Sequence, residues 1–292
     1  MRLKLVCILG NLIGYFFYYL MPFRKKHITQ SMQRAFKNEK NHSDINRLVK
    51  KNYQHYGTML CEYFFFNSKN TLKYIEFKNC EYYENALKKE NGVLILSAHL
   101  GNWEITAKAL FLFYDNLYMI ARPIRGIIAS YFINRFRTKN QSKLIAAQGT
   151  YHAILSLLKK NRAVGFVFDQ HKGTRGINVD FFGILAATNT APVALALSTG
   201  AVVVPLYNHR NPDGKFIMQF EKPIELVKTK NHEFNIFYNT QIFTKKIEEL
   251  VRRSPEQWFW MRKRWKGVDN KTQTISPVIP FSPDAYKNYF TT

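Results

Sequence analysis

The turn signal Asn91-Gly92 leads into Val93-Leu94-Ile95-Leu96, a run that is apolar at every position rather than at alternate ones. Such a run fits a strand buried on both faces, and so demands a layered sheet with helices above and below it. The run ends at Ser97-Ala98-His99, and from Leu100 the pattern becomes helical, with Trp103, Ala107 and Leu110/Phe111 recurring every three to four residues. Gly101 or Asn102 can begin that helix. His99 is therefore expected at the strand's carboxyl end and Glu104 in the first helical turn. From there the carboxylate is expected to hold one imidazole nitrogen and leave the other as a general base. A capped helix start beside a surface histidine has the same spacing, and the pair alone does not separate the two.

Two further apolar runs end in the same way. Leu117 to Ala121 stops at Arg122-Pro123, and Val164 to Phe168 stops at Asp169-Gln170-His171-Lys172-Gly173-Thr174-Arg175. Open α/β sheets build their sites at the carboxyl ends of strands, so three polar ends, at His99, Arg122 and Asp169, argue together for one site. Proline forces Arg122 out of a helix, where it either clamps an anion or is simply solvated. Helical spacing predicts helices over 28–35, 45–66 (capped by Ser43 or Asp44), 79–89, 127–138, 152–160 and 234–251. It also predicts one over 193–198, capped by Thr190 with Pro192 in its first turn. A short strand is expected at 143–146. Another, over 202–206, is expected to pair antiparallel with 215–220 across the turn Asn211-Pro212-Asp213-Gly214. The fold class is α/β, a central mixed sheet flanked by helices.

Leu5 to Phe23 carries no charge, between Arg2 and Lys4 on one side and Arg24, Lys25 and Lys26 on the other. At 1.5 Å per residue it reaches roughly 28 Å, just enough for a bilayer core. We read it as a retained amino-terminal anchor, spanning or monotopic, ahead of a signal peptide or a core helix. The expected organisation is an anchor over 1–24, one α/β domain over 25–266 and a tail over 267–292. The formal charge of +23, from 43 basic against 20 acidic residues, predicts anionic partners. Cys7, Cys61 and Cys80 are too few and too scattered for a disulfide framework or a zinc site, which favours a reducing compartment. No metal and no cofactor are expected. The segment from Trp258 to Lys266 mixes three tryptophans with four cations, which fits either a lipid headgroup interface or a packed amphipathic helix.

The sequence contains no G-x-S-x-G elbow, Walker A motif or G-x-G-x-x-G turn, so a base aimed at a substrate hydroxyl is the chemistry left standing. A basic surface that binds membrane or nucleic acid without chemistry explains the charge but not the three strand ends, and no nucleic-acid partner is expected.

Several blocks, in order, resemble a known family. They are His99-Leu100-Gly101-Asn102-Trp103-Glu104, Arg122-Pro123, Phe168-Asp169-Gln170, Phe181-Phe182-Gly183, Thr188-x-Thr190-Ala191-Pro192, Thr199 to Pro205 and Pro255-Glu256-Gln257-Trp258 through Arg264. Together with the amino-terminal segment they resemble the late (lauroyl/myristoyl-type) acyltransferases of lipid A biosynthesis. That family lies within the His-x4-acid glycerolipid acyltransferase superfamily, and the resemblance implies a glycerol-3-phosphate acyltransferase-like fold. It further implies that His99 deprotonates a lipid hydroxyl, that Glu104 orients His99, and that the oxygen attacks an acyl thioester with no covalent acyl-enzyme. The implied donor is an acyl carrier protein or coenzyme A thioester, and the implied acceptor is an anionic glycolipid, a lipid A precursor. A phosphoinositide mannoside or an amino-acid lipid is the alternative acceptor. Asn102, Arg122, Asp169, Gln170 and Arg175 are expected to bind substrate. The implied location is the inner membrane, with the catalytic domain facing the cytoplasm.

Overall fold

The run after Asn91-Gly92 forms β2 (Val93–Ser97), buried at every residue. It lies between β5 (Ala163–Val167) and β8 (Val202–Arg210), both parallel to it. The structure, a computed structural model, describes residues 2–37, 39–66, 70–121, 144–146 and 150–266. The expected helix over 127–138, Arg122 and the tail over 267–292 lie outside the described residues.

Beyond β5 the sheet continues through β3 (Leu117–Ala121) and β4 (Leu144–Ala146), both parallel to their neighbours. On the other side β8 pairs antiparallel with β9 (Phe216–Phe220), and β9 pairs parallel with β1 (Ile75–Lys78). The seven strands run in the order β1-β9-β8-β2-β5-β3-β4, a mixed sheet with five strands in one direction and the β1-β9 edge in the other.

Alternate residues of β2 serve two cores, because successive side chains of a strand point to opposite faces. Val93 and Ile95 pack with α4 (Cys80–Leu87) and α5 (Trp103–Phe113) through Tyr83, Ala109 and Leu110. Leu94 and Leu96 join the larger core on the other face. There they meet α6 (Tyr151–Lys159), α7 (Ala191–Thr199) and α8 (His232–Arg253) through Leu158, Leu195 and Phe243.

Two short strands, β6 (Ile177–Phe181) and β7 (Ile184–Thr188), form a hairpin apart from the main sheet. Its turn residues Phe182 and Gly183 have φ of 60° and 72°. A two-residue turn of this kind needs positive φ at both central positions, usually with Asn or Gly at the first. Here the Glu248 carboxylate of α8 accepts from the Phe182 main-chain N–H at 2.8 Å, and the Arg252 guanidinium lies 4.5 Å from the centre of the Phe182 ring. A tertiary contact thus stabilises a conformation that phenylalanine seldom adopts.

The amino-terminal segment corrects an expectation. Among the described residues no helix is long and apolar enough to cross a membrane. The helix α1 (Arg2–Tyr19) carries Arg2 and Lys4 within its first turn and stops before Pro22, which shortens the apolar stretch that the sequence suggested. It packs against α3 (His42–Phe65), and α2 (Lys25–Ala35) follows the turn between them. Glycines make the approach possible. A Cβ on Gly10 would lie 2.3 Å from the Thr58 Cα, and a Cβ on Gly57 would lie 2.1 Å from the Gly10 carbonyl oxygen. The cap of α3 is Asn41, whose side chain accepts from the Asp44 N–H at 2.9 Å, so the helix starts ahead of the expected caps Ser43 and Asp44. The outer face of the α1–α3 pair is apolar and exposed, with Leu5, Ile8, Leu12, Phe16 and Leu20 on α1 and its exit and Leu60 and Phe64 on α3.

Candidate active site

The register of the central strands builds the site. Each residue of β2 stands level with the residue 70 positions later on β5, from Val93 opposite Ala163 to Ser97 opposite Val167. The ladder continues as the Phe168 N–H donates to the Ser97 carbonyl at 2.9 Å. Extending the register two residues sets His99 beside Asp169, both just past their strands.

They bond twice. The Asp169 Oδ1 accepts from His99 Nδ1 at 2.7 Å, and its Oδ2 accepts from the His99 main-chain N–H at 2.9 Å. The same Oδ2 accepts from the Trp258 indole N–H at 2.6 Å. Asp169 is buried, which by itself raises a carboxyl's pKa, yet the His99 charge and the hydrogen bonds from His99 and Trp258 outweigh that and hold it below the ordinary range. On the other side of the ring the Gln170 amide nitrogen lies 3.0 Å from His99 Nε2. An amide nitrogen only donates, so Nε2 accepts and the proton sits on Nδ1, facing Asp169. The imidazole is thus in the tautomer of a base, with a lone pair on Nε2. Trp103 and Phe259 wall the ring at centroid distances of 5.0 and 6.1 Å, and 15% of the His99 side chain is exposed.

The segment after α8 completes the wall. A single 3-10 turn over Pro255–Gln257 leads into Trp258, which bridges to Leu100, and the Phe259 N–H donates to the His99 carbonyl at 3.0 Å. The Gln257 side chain clips to the main chain of Arg210 in both directions, each at 2.8 Å. Trp258, Trp260 and Trp265 are all buried, so these rings belong to the core and not to a headgroup interface, and the segment is not a helix. Arg264 is buried with them and bonds the Ala187 carbonyl at 2.9 Å and the Thr188 hydroxyl at 2.6 Å. Burial pulls its guanidinium down to about 10 despite the Asp169 charge. Nothing in the sequence marked this brace on the end of β7.

The remaining expected residues fall in different places. Glu104 is buried in the first turn of α5, while both ring nitrogens of His99 are bonded by Asp169 and Gln170. The carboxylate bonded to Nδ1 is that of Asp169, which strand register sets beside the ring. Asn102, expected at the substrate, is fully buried and caps α5 by accepting from the Ile105 N–H at 3.2 Å. Asp169 and Gln170, also expected there, bond the imidazole. Arg175 lies exposed in a 3-10 turn, and Arg122 lies outside the described residues. Among the described residues, no group of three or more His, Cys, Asp or Glu side chains is placed to hold a metal ion.

A histidine and aspartate at neighbouring parallel strand ends, with the second ring nitrogen covered only by an exchangeable amide contact and aromatic rings beside it, is equipment for deprotonating a hydroxyl. Residues 1–267 match the family model of the bacterial lipid A biosynthesis acyltransferases. The chain belongs to this family. It is similar to the lipid A biosynthesis lauroyltransferase of Escherichia coli, at 24% identity over 90% of this chain and 84% of that one. It is also similar to the palmitoleoyltransferase of the same organism, at 23% identity over 89% and 85%. Among solved structures it is similar to the 1-acyl-sn-glycerophosphate acyltransferase PlsC of Thermotoga maritima, with a TM-score of 0.37 and 16% identity over 86% of this chain and 98% of that one. This lipid A family member is thus an acyltransferase, and its His99–Asp169 pair lies inside the matched region.

Proposed function

We propose that this acyltransferase moves a fatty acyl chain from a thioester donor to a hydroxyl of a lipid A precursor, with His99 as the general base. The observation that carries this reading is the contact of 2.7 Å between His99 Nδ1 and the buried Asp169 carboxylate. In the proposed step the acceptor hydroxyl displaces the Gln170 amide from Nε2 and gives up its proton there. Its oxygen then attacks the thioester carbonyl, and collapse of the tetrahedral intermediate breaks the C–S bond. The thiolate leaves with the proton that His99 took up, so the ring returns neutral and no acyl-enzyme forms. Asp169 orients the ring and stabilises the imidazolium, and Glu104 is a second buried carboxyl five residues beyond His99, in the first turn of α5. Arg122 and Arg175 are assigned to anionic groups of donor or acceptor.

The formal charge of +23 suits an anionic donor, an acyl carrier protein or coenzyme A thioester, and an anionic membrane face, while the scattered free cysteines favour the cytoplasmic side of the inner membrane. Mass spectrometry of lipids from cells with and without the protein tests the acceptor. Loss of one acyl chain from lipid A is the expected result. An unchanged lipid A beside another under-acylated lipid refutes it and redirects the same chemistry to that lipid.

The exposed apolar face of α1 and α3 supports a monotopic seat in the bilayer, with Lys25 and Lys50 set against tyrosine rings at its edge. The paired change Leu12→Glu and Phe16→Glu removes two large exposed apolar side chains from that face. It is expected to weaken partition onto anionic vesicles by about 10-fold or more. Equal sedimentation of both proteins with the vesicles rules this seat out.

A further inference from the structure

Every polar side chain on one face of α3 grips the catalytic segments. The Asn52 amide donates to the carbonyls of Glu256 and Trp258 at 2.7 and 3.0 Å, and the Tyr56 hydroxyl donates to the Trp258 carbonyl at 3.1 Å. His55 Nε2 bonds the Gly101 carbonyl at 3.2 Å. About two turns further on, Glu62 is fully buried and forms a two-pronged pair with Arg210, at 2.5 Å from Nε and 2.8 Å from Nη2. The third arm of Arg210 donates to His55 Nδ1 at 3.0 Å. That bond makes Nδ1 an acceptor and leaves the His55 proton on Nε2, pointed at Gly101. Finally the Asn102 amide donates to Glu62 Oε2 at 2.9 Å. The network therefore ends on two consecutive residues, Gly101 and Asn102, two and three positions after His99.

The main chain at that point has little freedom to replace these bonds. Gly101 has φ of 59°, and a Cβ there would lie 2.4 Å from the Asn208 side-chain oxygen. The turn from β2 into α5 is thus cramped on the β8 side and held by polar bonds on the α3 side. A buried ion pair is a costly way to hold a fold, since apolar side chains of similar volume commonly give equal or greater stability. What the pair adds here is direction: it fixes which way the chain leaves His99.

We propose that Glu62, Arg210 and His55 form a positioning device for acyl transfer, which sets the orientation of the His99 loop from α3. This rests on the reading that His99 is the base. The three residues are positioning residues, acting through Gly101 and Asn102 without touching the reacting atoms. The same helix carries the exposed Leu60 and Phe64, so the device joins that apolar surface to the site through one rigid element.

The test uses the full-length protein, with a lauroyl thioester of acyl carrier protein and a lipid A precursor extracted from acyltransferase-deficient cells. In the paired variant Glu62→Leu with Arg210→Met, the apolar replacements are expected to retain the melting temperature. Turnover is expected to fall about 10- to 100-fold, with the KM of both substrates unchanged, because the base is misdirected while the substrate pockets remain. Full turnover in the folded variant overturns the proposal. Asn102→Ser provides a second reading that does not depend on how the pair folds. Serine keeps the cap on α5 but is too short to reach Glu62, so kcat is expected to drop about 10-fold at constant KM. A rise in KM at constant kcat makes Asn102 a substrate contact instead, and overturns the proposal. His99→Ala run alongside separates the two readings. If that variant retains turnover the base assignment itself fails, whereas a dead His99→Ala beside a fully active paired variant removes only the positioning role.

Discussion

Replacing His99 with alanine is expected to lower turnover by about 10²- to 10⁴-fold, the range over which a positioned general base contributes, while the protein remains folded. The second half of that expectation follows from the bonds that survive. Asp169 loses its Nδ1 donor but keeps the main-chain N–H of residue 99 and the Trp258 indole, so its buried carboxylate retains two hydrogen bonds. The main chain at 99 also keeps its bond from the Phe259 N–H. Trp103 and Phe259 contact one another at 5.1 Å between centroids and close part of the gap. The measurement pairs steady-state transfer with a thermal melt. A folded variant with ordinary turnover would end the assignment of His99 as base. Because Gln170 occupies Nε2 in the free protein, a Gln170→Ala variant run in the same series reports how much of KM arises from displacing that amide.

The sheet and its polar ends were legible because burial on both faces leaves a signal at every residue, as Val93 to Leu96 and Val164 to Phe168 do. The antiparallel pairing of β8 with β9 was legible for the same reason, aided by the turn at Asn211 to Gly214. Register was not. Nothing in the local sequence says that β5 follows β2 at an offset of 70, and without that offset Glu104 is the only acid within reach of His99. Position 169 was singled out as a strand end, but its partner was hidden in long-range pairing. Polar grips were invisible for a related reason. Periodicity reports apolar faces, so it gave a helix over 45–66 but no sign that Asn52, His55, Tyr56 and Glu62 bond the segments around His99. The hairpin at Phe182 escaped because its turn conformation is stabilised by Glu248 and Arg252, 66 and 70 positions away. For the amino-terminal helix the spanning alternative was the one set aside. Its composition suits lipid, but Gly10 and Gly14 match Gly57, so one face of the stretch belongs to α3.

Asp169→Asn is expected to reduce turnover by about 10³- to 10⁴-fold through a change of tautomer alone, as when the acid of a His–Asp pair is made an amide. The Oδ2 position of Asp169 receives two N–H donors, from the His99 main chain and the Trp258 indole. An asparagine must place its oxygen there, because an amide nitrogen would face both donors with a third. That leaves its NH2 opposite His99 Nδ1. The imidazole then accepts at Nδ1 and carries its proton on Nε2, so the lone pair that should receive the acceptor's proton is gone, and the Gln170 amide turns over to present its oxygen to the new N–H. Nitrogen-15 NMR of the His99 ring reads this directly as a switch from Nδ1–H to Nε2–H. The acid limb of stability offers an independent check. The Asp169 carboxyl is held below its ordinary value in the folded protein, so its contribution is fully present above the unfolded value near pH 3.9 and is lost as the pH falls through the lower folded value. The asparagine variant has no such group, so the stability difference between the two proteins should narrow on acidification. A variant that keeps the Nδ1–H tautomer and loses turnover all the same would show that Asp169 acts through its charge on the imidazolium, not through the position of the proton.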